Sequence, residues 1–354
     1  MQVRRPRLAL LLAGVAALTA LAVAELAARF FVPVRAPLLL QPFIDTVEQG
    51  HGADFDLVFE SDPELFWRLK SGVTLPADAR PFFGLISNAQ GLREDHAVPL
   101  GKPTGEVRIL FLGDSVTFGY LVRHDETFVE GVERELRSRV PSVRVECINA
   151  GVPGYSLFQG LRFLETRGFA FAPDLVVLEF GWNDKAHWPG GTDAERYASA
   201  QSARLPAWLA WSRLAELVIP DAVPTSPGDG ARARVSPQEF RALLEEARAV
   251  SRAHDIDLLL LVSAGRFNLN PEMTEKGRTE YQIQQYLVAR DTIFGPDGGP
   301  AMVDGVSAVR ALLGQLSPEA IFFDGVHPTP AGHGAYASAL AERIQPWLET
   351  RAAR

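Results

Sequence analysis

The stretch Val107-Arg108-Ile109-Leu110-Phe111-Leu112, running directly into Gly113-Asp114-Ser115-Val116-Thr117-Phe118-Gly119, decides the fold. A short apolar run that ends at a glycine reads as a strand buried on both faces, and helical periodicity resumes just beyond it. Four further runs have the same texture: Val143 to Ile148, Leu175 to Phe180, Leu258 to Val262 and a weaker one at Ala301 to Val303. Between them, apolar residues recur at helical spacing: Phe128, Val132 and Leu136, then Phe240, Leu243, Leu244 and Ala247, then Ala335, Leu340 and Ile344. Strands alternating with amphipathic helices predict an α/β fold with a parallel sheet covered on both faces.

Upstream of this core, Arg4, Arg5 and Arg7 precede an uncharged Leu/Ala-rich stretch from Leu8 to Ala24. Positive charge followed by an apolar run is the order read by export machinery. Cleavage after Ala22-Val23-Ala24 would make it a removable signal peptide. Glu25 and Arg29, one helical turn apart and followed by Phe30, Phe31 and Val32, favour a helix that continues as an uncleaved anchor. The arginines then place the bulk of the chain outside the cytoplasm, periplasmic or on the cell surface. Residues 1–32 are read as this signal or anchor, and 33–104 as a tether and polar, loop-rich lead-in, with prolines from Pro33 to Pro42 and a turn at Ser87 to Gly91. Residues 105–350 form the main domain, interrupted at about 186–233 by a Trp-, Pro- and Gly-rich insertion with a short apolar helix around Leu209 to Val218. Pro224 to Ala231 reads as an exposed loop.

Composition narrows the function classes. The 354 residues are 47% hydrophobic and carry a formal charge of -8. No basic stripe follows the N-terminus, so nucleic acid is not an expected partner. The single cysteine, Cys147, rules out an internal disulfide and a Cys-based zinc site, and its apolar surroundings read as core. The histidines at 51, 96, 124, 187, 254 and 333 form no pair at metal-ligand spacing, so no metal and no cofactor is expected. His187 reads as a surface residue, and Trp182 is divided between core packing and substrate contact. The chain has no G-x-S-x-G elbow, no phosphate-cradling G-x-x-x-x-G-K loop and no dinucleotide fingerprint.

Four blocks sit where strands of an open parallel sheet deliver their carboxyl ends, the edge at which such sheets bind ligands. Ser115 follows the first strand at a helix N-terminus, whose unpaired N–H groups and positive dipole end favour a developing oxyanion. Serine needs a base, and Asp324-Gly325-Val326-His327 brings a carboxylate and an imidazole to one side of a turn. Pro328 keeps His327 out of helical geometry, while Thr329 and Pro330 read as the N-cap and first position of the last helix. Asn183, in Gly181-Trp182-Asn183-Asp184, ends the third strand with an amide donor. Asn149-Ala150-Gly151-Val152-Pro153-Gly154 follows the second, with glycines that let a backbone N–H approach a ligand.

Together and in this order, the blocks resemble those of the SGNH hydrolases, the GDSL esterases and lipases, over about Val107 to Ile344. The resemblance implies a three-layer α/β/α flavodoxin-like fold with about five parallel strands. It further implies Ser115 as nucleophile, Asp324 and His327 as its partners, and an oxyanion hole of Ser115, Gly154 and Asn183, with Gly151 the alternative to Gly154. A helix at the N-terminus and an Asn-x-x-Gly-Leu-Arg segment, here Asn88 to Arg93, resemble membrane-tethered members. The expected activity is hydrolysis of carboxylic esters, of O-acetylated glycans or lipids, with the ester as partner and the membrane as a second partner. Alternatives are O-acyl transfer to an exported polysaccharide and a non-catalytic tethered binding module; oligomeric state is left open.

Overall fold

The computed structural model describes residues 5–31, 55–79, 82–188, 191–202, 212, 214, 232–269 and 302–352. Five strands build the central sheet: β1 (Glu106–Gly113), β2 (Arg144–Asn149), β3 (Leu175–Glu179), β4 (Asp257–Val262) and β5 (Met302–Asp304). All pairings are parallel, in the order β5-β4-β3-β1-β2. Chain order therefore steps from β1 outward to β2 and then back across to β3, which is the flavodoxin-like arrangement that the family resemblance implies. The crevice between the carboxyl ends of β1 and β3 is its topological switch point.

The period-2 alternation of a strand sorts side chains to the two faces. Leu110, Leu112, Val176, Leu178 and Leu260 enter one core, and Ile109, Phe111, Val177, Leu259 and Leu261 the other. The helices divide accordingly. Helix α1 (Arg5–Phe31) stands at the N-terminus and α2 (Ser115–Phe118) follows β1. Helix α3 (Phe128–Arg139) buries Phe128, Val132 and Leu136 against the second core. Helix α4 (Leu157–Thr166) and α5 (Asp193–Ser202) come next, and α6 (Pro237–Ala253) packs beside α4 through Phe240, Leu244 and Ala247. Helices α7 (Gly305–Arg310), α8 (Pro318–Ile321) and α9 (Pro330–Ala352) close the chain, with Leu340 and Ile344 of α9 completing the second core beside α3. Helix α6 starts at a capping box, in which Ser236 Oγ accepts from Glu239 N and Glu239 Oε2 from Ser236 N, and at the start of α4 Ser156 N donates to Gln159 Oε1 at 3.1 Å. Helix α9 begins at the expected Pro330, but the Thr329 hydroxyl donates to Ala320 O at 2.6 Å, tying the helix start back to α8. Cys147 is buried, as expected.

The lead-in from Phe55, polar and loop-rich by composition, nonetheless adds apolar anchors to the first core. Two short hairpins form here: Phe59–Asp62 with Phe66–Leu69 carries Phe59, Phe66, Trp67 and Leu69 into that core, and Thr74–Leu75 with Gly84–Leu85 packs the half-buried Leu75 against it. Trp67 Nε1 donates to Pro153 O at 3.1 Å and Tyr155 OH to Trp67 O at 2.6 Å, so the lead-in braces the loop after β2. In the Asn88–Arg93 turn, Asn88 Oδ1 accepts from Gln90 N and Leu92 N, and the Arg93 guanidinium lies 4.2 Å over the Phe118 ring of α2.

The insertion contains α5 and a two-residue pairing of His187–Trp188 with Arg232–Ala233. The Pro33 to Pro42 tether and the Pro224 to Ala231 loop lie outside the described residues, as does all of the expected Leu209 to Val218 helix except Ser212 and Leu214. In α1, Ala9–Phe30 has a mean hydropathy of 2.2 over a 22-residue span, sufficient by length and composition to cross a membrane; a signal sequence has the same character.

Candidate active site

Strand β1 ends at Gly113, and Asp114 turns the chain out of the sheet. Its side chain caps α2 by accepting from Val116 N at 2.9 Å, which places Ser115 on the first helical residue at the switch-point crevice. Gly113 is required there because a Cβ would fall 2.7 Å from Glu179 O and 2.0 Å from Thr117 Oγ1. Ser115 Oγ lies 2.9 Å from His327 Nε2, and His327 Nδ1 lies 2.6 Å from Asp324 Oδ2. The other Asp324 oxygen accepts from Val326 N and His327 N, both at 2.8 Å, so the turn itself fixes the carboxylate beneath the ring. Burial would raise the Asp324 carboxyl, but the His327 hydrogen bond and charge, with the two backbone N–H groups, outweigh it and hold Asp324 well below the usual carboxylate range. An ionised Asp324 is the partner an imidazolium needs. Tyr120, just past α2, lies with its ring 4.6 Å from the His327 ring.

Asn183 reaches the same crevice from β3. Its Nδ2 donates to Asp114 Oδ2 at 2.8 Å and to Tyr155 O at 3.2 Å, linking the β1, β2 and β3 loops. Beneath it, Glu179 accepts from Thr117 Oγ1 at 3.0 Å and from Ser263 Oγ. Burial, followed by the nearby Glu179 charge, pushes Asp114 well above the usual carboxylate range.

The two glycines after β2 have different surroundings. Gly151 donates its N–H to Asn149 Oδ1 at 3.0 Å, and a Cβ on it would lie 2.3 Å from Phe118 N. It is the point where the loop touches the backbone of α2. Gly154 adopts φ +82° and its carbonyl accepts from Arg234 Nη1 at 2.6 Å, while its N–H has no acceptor among the described residues. Of the pair, only Gly154 has an uncommitted donor. Arg234 is fully buried and also pairs with Asp193 at 2.8 Å and Gln159 at 2.6 Å.

Trp182 donates to Ser263 Oγ at 2.9 Å and meets Phe267 edge-on, with Lys185 Nζ 4.5 Å over its ring, and is half-buried against the second core. His187 is exposed, as expected. Tyr120 and Arg234 were not singled out from the sequence. The first carried only its place one residue after the Ser115 block, and the second lies just beyond the expected insertion boundary. A separate cavity of about 230 Å³ is lined by Phe158, Arg234, Leu243 and Glu239, among others, and by none of Ser115, Asp324 or His327. Among the described residues, one His/carboxylate group has ligand spacing: Glu94, His124 and Glu130.

The family profile described as GDSL-like lipase/acylhydrolase matches residues 111–335, well over half the chain. No curated protein matches. Among solved structures, LAE5, described as an alpha/beta hydrolase enzyme from the metagenome of Lake Arreo, Spain, aligns at 20% identity and a TM-score of 0.44, covering 67% of this chain and 94% of that one. Axe2, an acetylxylan esterase from Geobacillus stearothermophilus, aligns at 21% identity and a TM-score of 0.43 with the same coverage.

Proposed function

We propose that this chain, which belongs to the GDSL-like lipase/acylhydrolase family, hydrolyses carboxylic esters through an acyl-enzyme on Ser115. The observation that carries the reading is the unbroken chain of contacts from Ser115 Oγ to His327 Nε2 at 2.9 Å and from His327 Nδ1 to Asp324 Oδ2 at 2.6 Å. His327 takes the Ser115 proton as Oγ attacks the ester carbonyl, and Asp324 holds the imidazolium in place. The oxyanion receives the Ser115 and Gly154 N–H groups and one Asn183 amide hydrogen. Asn183 keeps its shorter bond to Asp114 and exchanges the 3.2 Å contact with Tyr155 O for the oxyanion. His327 then returns the proton to the leaving alcohol, and water attacks the acyl-enzyme by the same route in reverse.

Ser115→Ala removes the attacking oxygen. Hydrolysis of a short-chain aryl ester should fall to background in this variant with its circular dichroism unchanged, and retained activity would refute the assignment. Supplying an acceptor sugar separates hydrolysis from transfer: free acid as the sole acyl product supports hydrolysis.

The hydrolase domain is proposed to lie outside the cytoplasm, held by α1. Supporting this is the Arg4, Arg5 and Arg7 cluster ahead of the apolar Ala9–Phe30 span. Resistance of the cell-associated protein to alkaline extraction is the expected result; recovery as a cytoplasmic soluble protein contradicts it.

A further inference from the structure

We infer that Glu94, His124 and Glu130 form a binding site for a divalent transition-metal ion of the Zn²⁺ type, apart from the Ser115 centre. The three residues come from separate segments: the end of the Asn88–Arg93 turn, the connection between α2 and α3, and the first turn of α3. One ligand atom from each lies within 4.8 Å of the others. His124 Nε2 is 3.4 Å from Glu130 Oε1 and 3.8 Å from Glu94 Oε2. Those separations are too long for charged hydrogen bonds, which close to about 2.8 Å. They approach the edge of a tetrahedron whose ligands stand at about 2.1 Å from a central ion, an edge of about 3.4 Å.

The second observation is the state of the ligand atoms themselves. His124 Nε2 is buried and has no hydrogen-bond partner. Glu94, with a side chain only 1% exposed, uses Oε1 to accept from Asn149 N, and its Oε2 has no hydrogen-bond donor among the described residues. Leaving such groups unpaired in the interior is costly, and a shared cation relieves all three at once. No lysine or arginine nitrogen comes within 4.0 Å of either carboxylate among the described residues. The nearby arginines have other partners: Arg123 pairs with Asp125, Arg137 with Glu133, and Arg93 stacks on Phe118. One imidazole and two carboxylates suit Zn²⁺ or Mn²⁺ better than the all-oxygen cages of Ca²⁺. Solvent or a fourth group completes the shell at the Glu130 side, which is 23% exposed.

A cation here would fasten the connection between α2 and α3 to the lead-in. That connection carries Tyr120, whose ring lies on His327. The inferred role is to hold the loop, and it does not depend on the ester-hydrolase reading.

The test uses the full chain, stripped with chelator and then dialysed against buffered Zn²⁺, with bound metal counted by mass spectrometry and stability followed by thermal melting. The parent should hold about one equivalent, and Zn²⁺ at about 100 times its dissociation constant should raise Tm by roughly 5 °C. His124→Ala and Glu130→Gln should each weaken binding at least about tenfold and, at the same Zn²⁺ concentration, cut the Tm response to about half or less. Glu130→Gln, at the partly exposed position, serves if the buried change prevents folding. His254→Ala, remote from the cluster, should behave as the parent. Absence of stoichiometric Zn²⁺ in the parent, or equal binding by parent and Glu130→Gln, overturns the inference.

Discussion

Gly151→Ala tests how the nucleophile is positioned, because the added methyl meets backbone. The new Cβ would lie 2.3 Å from Phe118 N, 2.7 Å from Thr117 C and 2.9 Å from Phe118 Cα. A carbon needs about 3.4 Å or more from such atoms, so α2 or the loop must retreat by about 1 Å. The main chain of α2 cannot swing aside as a side-chain tip would, and Ser115 moves with it. Overpacking of this kind costs about 1–3 kcal/mol, roughly 3–10 °C in Tm for a domain of this size. Displacing a reacting atom by about 1 Å costs on the order of 10²-fold in rate. The expected variant is folded, melts lower, and has kcat reduced about 10²-fold on a short-chain aryl ester with KM little changed. Val152→Ala is the control. It leaves a small void at a side chain 3% exposed next door, costing about 2 kcal/mol without pushing on α2, so its kcat should stay within about threefold of the parent. Parental kcat in Gly151→Ala would show that this contact does not set the position of Ser115.

Asn183→Ala should lower kcat by about 10²–10³-fold in steady-state ester hydrolysis while leaving substrate binding nearly intact, since the lost donor acts on the oxyanion. Burial depresses His333 to about 3, and its Nδ1 accepts from Phe128 N at 3.1 Å. Below about 6.5 the unfolded chain takes up a proton that native His333 refuses, so stability falls as pH drops from about 6.5 toward 3. His333→Gln should flatten that acid limb by up to about 1.4 kcal/mol per pH unit in denaturant titrations. Asp184 behaves oppositely: burial raises it to about 7, so the native state keeps a proton that the unfolded chain loses above about 4. Its contribution is complete below about 4 and is lost as pH rises toward 7. The Tm advantage of Asp184→Asn over the parent should therefore grow from pH 5 to pH 7 and then level off, and a constant difference would contradict the buried, protonated assignment.

The sheet was legible because β1 to β4 are apolar on both faces, which leaves little choice but a covered parallel sheet. The first four strands were expected close to their observed bounds, and β5 lies one residue further along than Ala301 to Val303. Ser115, Asn183, Asp324 and His327 were visible because each occupies a short polar block after a strand or beside a helix start, so topology alone brings them to one crevice. The choice between Gly151 and Gly154 was not visible, since both are glycines in one loop. It turns on which N–H is already bonded and which Cβ would strike α2. Trp67 went unread for a related reason: its role in bracing the Gly154 loop rests on contacts to Pro153 and Tyr155, far away in sequence. The Glu94, His124 and Glu130 grouping has no sequence signature, because its members come from three segments with no fixed spacing.

The central claim, that Ser115 is a nucleophile activated by His327, is tested most directly by reaction with a fluorophosphonate, followed by peptide mass mapping. The account predicts a single phosphonylated residue, Ser115, on the folded parent, with labelling slowed by several orders of magnitude in His327→Ala and absent in Ser115→Ala. Failure of the folded parent to label, or a label on another residue that persists in Ser115→Ala, would contradict it.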